Sequence, residues 1–141
     1  MIRRLVSGIN IRYDYWYEHK WELAAASGIM YESELWNYDA VDSAKIPPNP
    51  VDQKSNRLKS NTYIKWEGKI TGVSSLAVAV FYQAAYNDFF EPRVAGLMKF
   101  SIDISPHFAF GLNFYGLYDA KPLVPISHFY YSLSNSLLYK F

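Results

Sequence analysis

The chain has 141 residues, enough for one domain and for a single β-barrel, and carries a net charge of +1 with no cysteine. Near-neutral charge without basic runs sets nucleic acid aside, and the absence of cysteine removes disulfide frameworks and thiolate metal sites. No apolar run approaches the roughly 18–20 residues of a membrane-crossing helix, so any passage through a bilayer would be made by strands.

Met1-Ile2-Arg3-Arg4 offers two positive charges, but no apolar leader segment follows. A secreted protein needs such a leader, so the expectation is a mature form or the downstream part of a longer protein. Alternation begins at once. From Leu5 to Tyr17, Ile9, Ile11, Tyr13, Tyr15 and Tyr17 share one face and Asn10, Arg12 and Asp14 the other. Glu18-His19-Lys20 is a short turn into Trp21–Trp36, where Trp21, Leu23, Ala25, Ile29, Tyr31 and Leu35 oppose Glu22, Gly28, Glu32 and Glu34.

Residues 37–56, with Pro47-Pro48-Asn49-Pro50, have no core-forming period and form the longest loop. Alternation returns over Arg57–Glu67, setting Arg57, Lys59, Asn61, Tyr63, Lys65 and Glu67 against Leu58, Ser60, Thr62, Ile64 and Trp66. After a turn at 68–74, Leu76, Val78, Val80 and Tyr82 alternate with Ala77, Ala79, Phe81 and Gln83 through to Tyr86. Asn87–Pro92 is expected as a loop of intermediate length. In Arg93–Ile102, Val94, Met98, Phe100 and Ile102 oppose Arg93, Ala95, Lys99 and Ser101.

Asp103–His107 is a short turn, and Phe108, Phe110, Leu112, Phe114 and Tyr118 then oppose Ala109, Gly111 and Asn113. Asp119–Ser127, with two prolines, leads to the terminal strand His128–Phe141. There Phe129, Tyr131, Leu133, Leu137, Tyr139 and Phe141 share a face, with Asn135 as a blemish; Tyr130 and Leu138 are exceptions on the polar face. So long a period of two, ending on phenylalanine, reads as an outer-membrane strand, which needs about 9–11 tilted residues to span the hydrocarbon.

These seven strands predict an all-β, antiparallel up-and-down (meander) transmembrane β-barrel of 7–8 strands, one domain over residues 1–141. Short turns near 18–20, 68–74 and 103–107 alternate with longer connections at 37–56, 87–92 and 119–127, as inner turns and outer loops do in such barrels. Tyr13, Tyr15, Tyr17, Trp21, Trp66, Tyr139 and Phe141 gather near one end of the strands, and Tyr31, Tyr82, Tyr118 and Tyr131 toward the other, as two girdles would. Seven is odd, and a bacterial single-chain barrel normally has an even number. The expectation is therefore N-terminal incompleteness, with strands missing upstream, or a partner chain completing the wall.

From Arg12 onward the chain resembles the YdiY-like family of salt-induced outer-membrane proteins, defined by an uncharacterised domain. The resemblance rests on Ile11-Arg12-Tyr13-Asp14-Tyr15, Gly28-Ile29-Met30-Tyr31-Glu32 with Leu35-Trp36, Phe81-Tyr82-Gln83, Tyr118-Asp119 to Pro122, and Tyr131-Ser132-Leu133 to Phe141. It looks like the later part of the family domain, and it implies an integral outer-membrane barrel with no transferable active site.

The most functional-looking set is the charged row that alternation places inside: Arg12, Asp14, Glu22, Glu32, Glu34, Arg57, Lys59, Lys65, Glu67, Arg93 and Lys99. Facing lipid, such groups would each cost about 2–4 kcal/mol near the midplane. Inside, they could pair across strands and fill a narrow barrel, or serve conduction or ligand capture. His128, Ser132 and Ser134 share a face, but residues 128 and 132 lie roughly 13 Å apart along a strand, too far for a catalytic dyad. His19 and His107 sit at turns without metal-ligand spacing.

No catalytic residue, metal or cofactor is expected. The sequence thus points to a structural or accessory barrel in the bacterial outer membrane of the Gram-negative envelope. Its partners would be outer-membrane lipid and, through His128–Phe141, the barrel-assembly machinery. A narrow pore or transport accessory, and a soluble lipocalin-like ligand-binding barrel, are the alternatives.

Overall fold

The computed structural model describes residues 1–17, 20–39 and 41–139. His19, Lys140 and the closing Phe141 lie outside the described residues. Seven strands form one sheet in sequence order: β1 (Arg3–Tyr17), β2 (Trp21–Trp36), β3 (Gln53–Lys69), β4 (Ser74–Ala85), β5 (Asp88–Asp103), β6 (Phe108–Asp119) and β7 (Phe129–Tyr139). Every neighbouring pair is antiparallel, so the chain is an up-and-down meander. Among the described residues β1 and β7 are not paired, and the sheet is open rather than closed into a barrel.

The sheet is strongly curled. Arg93 on β5 donates to Glu34 on β2 at 2.8 Å, whereas three strand spacings in a flat sheet would hold their backbones roughly 14 Å apart. Glycine on the concave face helps this curvature. A Cβ on Gly28 would sit 2.7 Å from the Asn10 Cα, and one on Gly8 would sit 2.8 Å from the Met30 Cβ, so β1 approaches β2 more closely than side chains would permit. Asn61 uses the space over Gly28, its Nδ2 donating to the side-chain Oδ1 of Asn10 at 3.1 Å from two strands away.

Several boundaries differ from the sequence reading. The long connection spans 37–52 rather than 37–56, because residues 53–56 pair with Ser33–Trp36 and carry β3 four residues further back. Within it Asp42 caps a 3₁₀ turn, Ser43–Lys45, its Oδ1 accepting from the Ala44 N–H at 3.1 Å. His128 precedes β7 instead of opening it.

The expected loop at 87–92 is a tight turn at Tyr86–Asn87, followed by a wide bulge. Gln83 pairs with Arg93 and Ala85 with Asp88, so Phe89–Pro92 face only Ala84. Pro92 explains the misreading: proline is a loop marker in sequence, yet a bulge leaves it without a ladder bond to donate. One rim of the sheet therefore carries the connections 37–52, 86–87 and 120–128, and the opposite rim those after β1, β3 and β5. The length contrast is carried by 37–52 and 120–128 alone.

Candidate functional site

The pairing register sorts the side chains into two continuous faces across all seven strands. The convex face bears Ile9, Ile11, Tyr13, Leu23, Ile29, Leu58, Ile64, Val80, Leu133 and Leu137 at paired positions, all substantially exposed, with Ile9 and Ile11 each at 83%. The concave face bears the predicted charged row. Asn135, on the convex face opposite Leu112, remains a polar blemish there. Tyr130 and Leu138 break the alternation of β7 because they point inward at its two ends, opposite Leu117 and Ala109.

The exterior aromatic clusters fall at opposite ends. Tyr15 and Trp21 lie 5.7 Å apart and Phe108 and Tyr139 5.1 Å apart at the turn rim. At the loop rim Tyr82 packs 5.6 Å from Phe89 and gives its hydroxyl proton to the Phe89 carbonyl, and Phe129 stacks 6.0 Å from Tyr131.

Below the loop rim, a six-residue ion cluster fills the concave face. Glu32 and Glu34 of β2 are almost fully buried, at 2% and 4% exposure. Arg93 is the hub, reaching Glu34 at 2.8 Å, Glu32 at 3.1 Å and Asp119 at 2.7 Å. Arg4 donates to Glu32 at 2.7 Å, and Lys59 pairs with the other Glu32 oxygen. Three cations therefore meet three carboxylates, so no net charge is stranded where solvation is poor.

An amide rung continues the cluster toward the middle of the strands. Gln83 accepts from Arg4 at 3.4 Å and donates to Asn61 at 3.1 Å, and Asn61 in turn donates to Asn10. Beyond this rung, nearer the turn rim, Arg12 pairs with Asp14 at 2.6 Å and Glu22 at 3.1 Å, and Lys65 with Glu67 at 2.8 Å. Arg57 meets Asp88 at 3.4 Å.

The other half of the concave face is hollow. Ala77, Ala79, Ser132 and Ser134 are too small to fill it, leaving a cavity of about 500 Å³ that Lys65 and Lys99 also line. A second hollow of about 360 Å³ continues toward the turn rim past Ser101, Gly111 and Ser136. Lys99 borders both and, among the described residues, has no ion-pair partner. A smaller cavity, about 220 Å³, lies at the loop rim between Trp36, Phe81, Tyr130 and the connection 120–128, with Arg4, Arg93 and Asp119 beside it.

The structure thus brings Glu32, Glu34, Lys59 and Arg93 into one cluster, puts Arg12, Asp14, Glu22 and Lys65 into pairs near the turn rim, and leaves Lys99 alone. Sequence reasoning missed Arg4, Asp88 and Asp119. Arg4 and Asp119 keep the parity of the inward residues of their strands, Arg4 with Asn10 and Arg12, Asp119 with Asn113, so carrying the alternation one or two steps further would have found both. His128 Nδ1 lies 2.8 Å from the Asp119 carbonyl oxygen, which ties it to the loop rim and away from Ser132 and Ser134. His107 packs 6.1 Å from the Tyr139 ring.

Among the described residues there is no helix long and apolar enough to cross a membrane and no group of three or more side chains arranged to hold a metal ion. No family model, curated protein or solved structure matches the chain.

Proposed function

We propose that the chain is the wall of an integral outer-membrane β-barrel of structural or accessory type, without catalytic activity, of the kind represented by the YdiY-like family. The observation that carries this reading is the segregation of charge. At the paired strand positions the convex face holds only Arg3 and Lys54 as charged residues, both at the loop rim, while every other paired charge lies on the concave face. A soluble fold would place such a face in water, where a broad exposed apolar surface is a liability. A lipocalin-like barrel would turn its apolar face inward, whereas here the inward face carries buried Glu32 and Glu34.

Lipid is the solvent that fits the convex face, and the loop rim is then the outer side. The closing segment of the sequence, residues 128–141, which contains β7, is the one for engagement by the assembly machinery. Both edge strands run from the loop rim to the turn rim, so β1 and β7 are parallel to each other. Direct closure would pair them in parallel; a single strand running the opposite way would pair antiparallel with both. Unpaired edges in hydrocarbon cost several kcal/mol per backbone group, so the wall is completed by such a strand from upstream or from a partner.

The test is refolding into detergent or phospholipid vesicles followed by unheated and heated gel electrophoresis. A heat-modifiable, detergent-dependent species is expected. A stable monomer purified without detergent would sink the membrane reading. Because the chain has no cysteine, cysteine pairs placed on β1 and β7 report closure directly: a disulfide in the isolated chain would remove the need for a further strand. The hollow near the turn rim favours a second reading, a narrow pore; planar-bilayer conductance tests it, and a silent inserted barrel excludes it.

A further inference from the structure

We propose that Arg3 and Lys54 form a clamp for the phosphate of an anionic lipid headgroup at the loop rim. This rests on the membrane-barrel reading. The register is Arg3 opposite Leu35, and Leu35 opposite Lys54, so the two cations flank one leucine on the convex face about two strand spacings, roughly 10 Å, apart. Long basic side chains from those positions can converge above Leu35, their stems lying on apolar surface and their charged heads turned to the interface.

Three features separate this pair from ordinary solvated charge. The rim cations on the concave face are compensated: Arg4, Arg57, Lys59 and Arg93 each meet a carboxylate. Arg3 and Lys54 have no ion-pair partner among the described residues. No carboxylate occupies a paired convex position on any strand, so the charge at the paired convex positions has a single sign. Below the pair, Leu5, Tyr31 and Leu58 present an apolar surface suited to acyl chains, all three substantially exposed. Cation above and hydrocarbon below is the complement of a phosphate-bearing lipid, and it puts the charges at the interface, where a barrel's lipid face tolerates them.

The experiment refolds the chain in phosphatidylcholine vesicles containing a minor fraction of phosphatidylglycerol, extracts it mildly, and measures retained phosphatidylglycerol by native mass spectrometry. Removing one interfacial cation lowers retention about fivefold, and removing both lowers it more than tenfold. The variants are Arg3→Gln, Lys54→Gln and their combination; Lys99→Gln, on the concave face, is the control and retains lipid as the wild type does. Heat-modifiable mobility verifies the fold of each variant, and the single variants carry the test where the double one does not refold. Equal retention by the cation variants and the wild type, or loss on Lys99→Gln alone, overturns the clamp. A heat-modifiable wild type that shows no preference for the anionic lipid overturns the clamp while leaving the barrel reading intact; a chain that never becomes heat-modifiable brings down both.

Discussion

Arg93→Met is the most direct probe of the concave ion cluster. Arg93 is the only cation of the cluster that contacts all three of its carboxylates, at 2.8 Å to Glu34, 3.1 Å to Glu32 and 2.7 Å to Asp119. Methionine keeps much of the side-chain volume and removes the charge, turning a balanced cluster into one with three carboxylates and two cations. Arg4 and Lys59 still serve Glu32, but Asp119 loses its ion-pair partner and Glu34 keeps only Arg4, at 3.5 Å. Breaking a buried pair from one side costs about 3–5 kcal/mol, because the remaining charge stays in a poorly solvated place.

The assay is urea unfolding of the refolded protein in phospholipid vesicles, read by tryptophan fluorescence. Adding Glu34→Leu to Arg93→Met restores charge balance, so the double variant is destabilised by less than the sum of the single ones, with a coupling of about 0.5–3 kcal/mol. Lys99→Met, which leaves no carboxylate stranded, changes stability by less than about 0.5 kcal/mol. An Arg93→Met cost below about 1 kcal/mol, the range of solvent-exposed pairs, would show that water screens the cluster and that it does not hold β2 to β5.

Val80→Arg puts a charge mid-strand on the convex face of β4 and costs about 2–4 kcal/mol in vesicles; an unchanged folded fraction would mean that this face does not meet lipid. Gly28→Val forces a side chain into the approach of β1 and costs about 1–3 kcal/mol, whereas Gly96→Ala, where a Cβ meets nothing within 4 Å, changes stability by no more than about 1 kcal/mol; equal costs in urea titrations would detach the curl from the glycine. Hydrogen bonding to Glu91 raises the Lys121 pKa above 10.5, helped by the charges of Asp88 and Glu91. The protonated pair therefore contributes fully below 10.5 and is lost as pH rises through the higher folded value. Hydrogen exchange in the connection 120–128 should accelerate over that alkaline range, and Lys121→Gln should abolish the dependence.

The strands were legible because alternation is a local property: each of the seven appears in the sequence within a few residues of its place, and the parity that set Arg12, Glu32, Lys59 and Arg93 on one side holds through every register. What alternation does not encode is which inward residues meet. Glu34 and Arg93 lie on strands that are not neighbours, and their contact depends on curvature, a property of the whole sheet. The bulge at Phe89–Pro92 was hidden for a related reason: a bulge suspends the period of two, so sequence alone makes it look like the end of a strand. Arg4 was overlooked because two adjacent arginines ahead of the first alternating run read as the positive start of a leader segment, although only Arg4 has inward parity.

Curvature and charge placement depend on each other in this sheet. Laid flat, it would leave Glu32 and Glu34 facing cations only on their own and adjacent strands, with Arg93 beyond reach; curled without Arg93, it would enclose two carboxylates served by Arg4 and Lys59 alone. The glycines on β1 and β2 permit the close approach, and the Asn10, Asn61 and Gln83 amides bridge it without adding charge. On β4 to β7 the inward residues Ala77, Ala79, Gly111, Ser132, Ser134 and Ser136 add bulk to neither half, so the hollow lies on their side and toward the turn rim. Bulk and charge are therefore concentrated below the loop rim on the β2–β5 side of the concave face, where curvature brings Glu34 and Arg93 together.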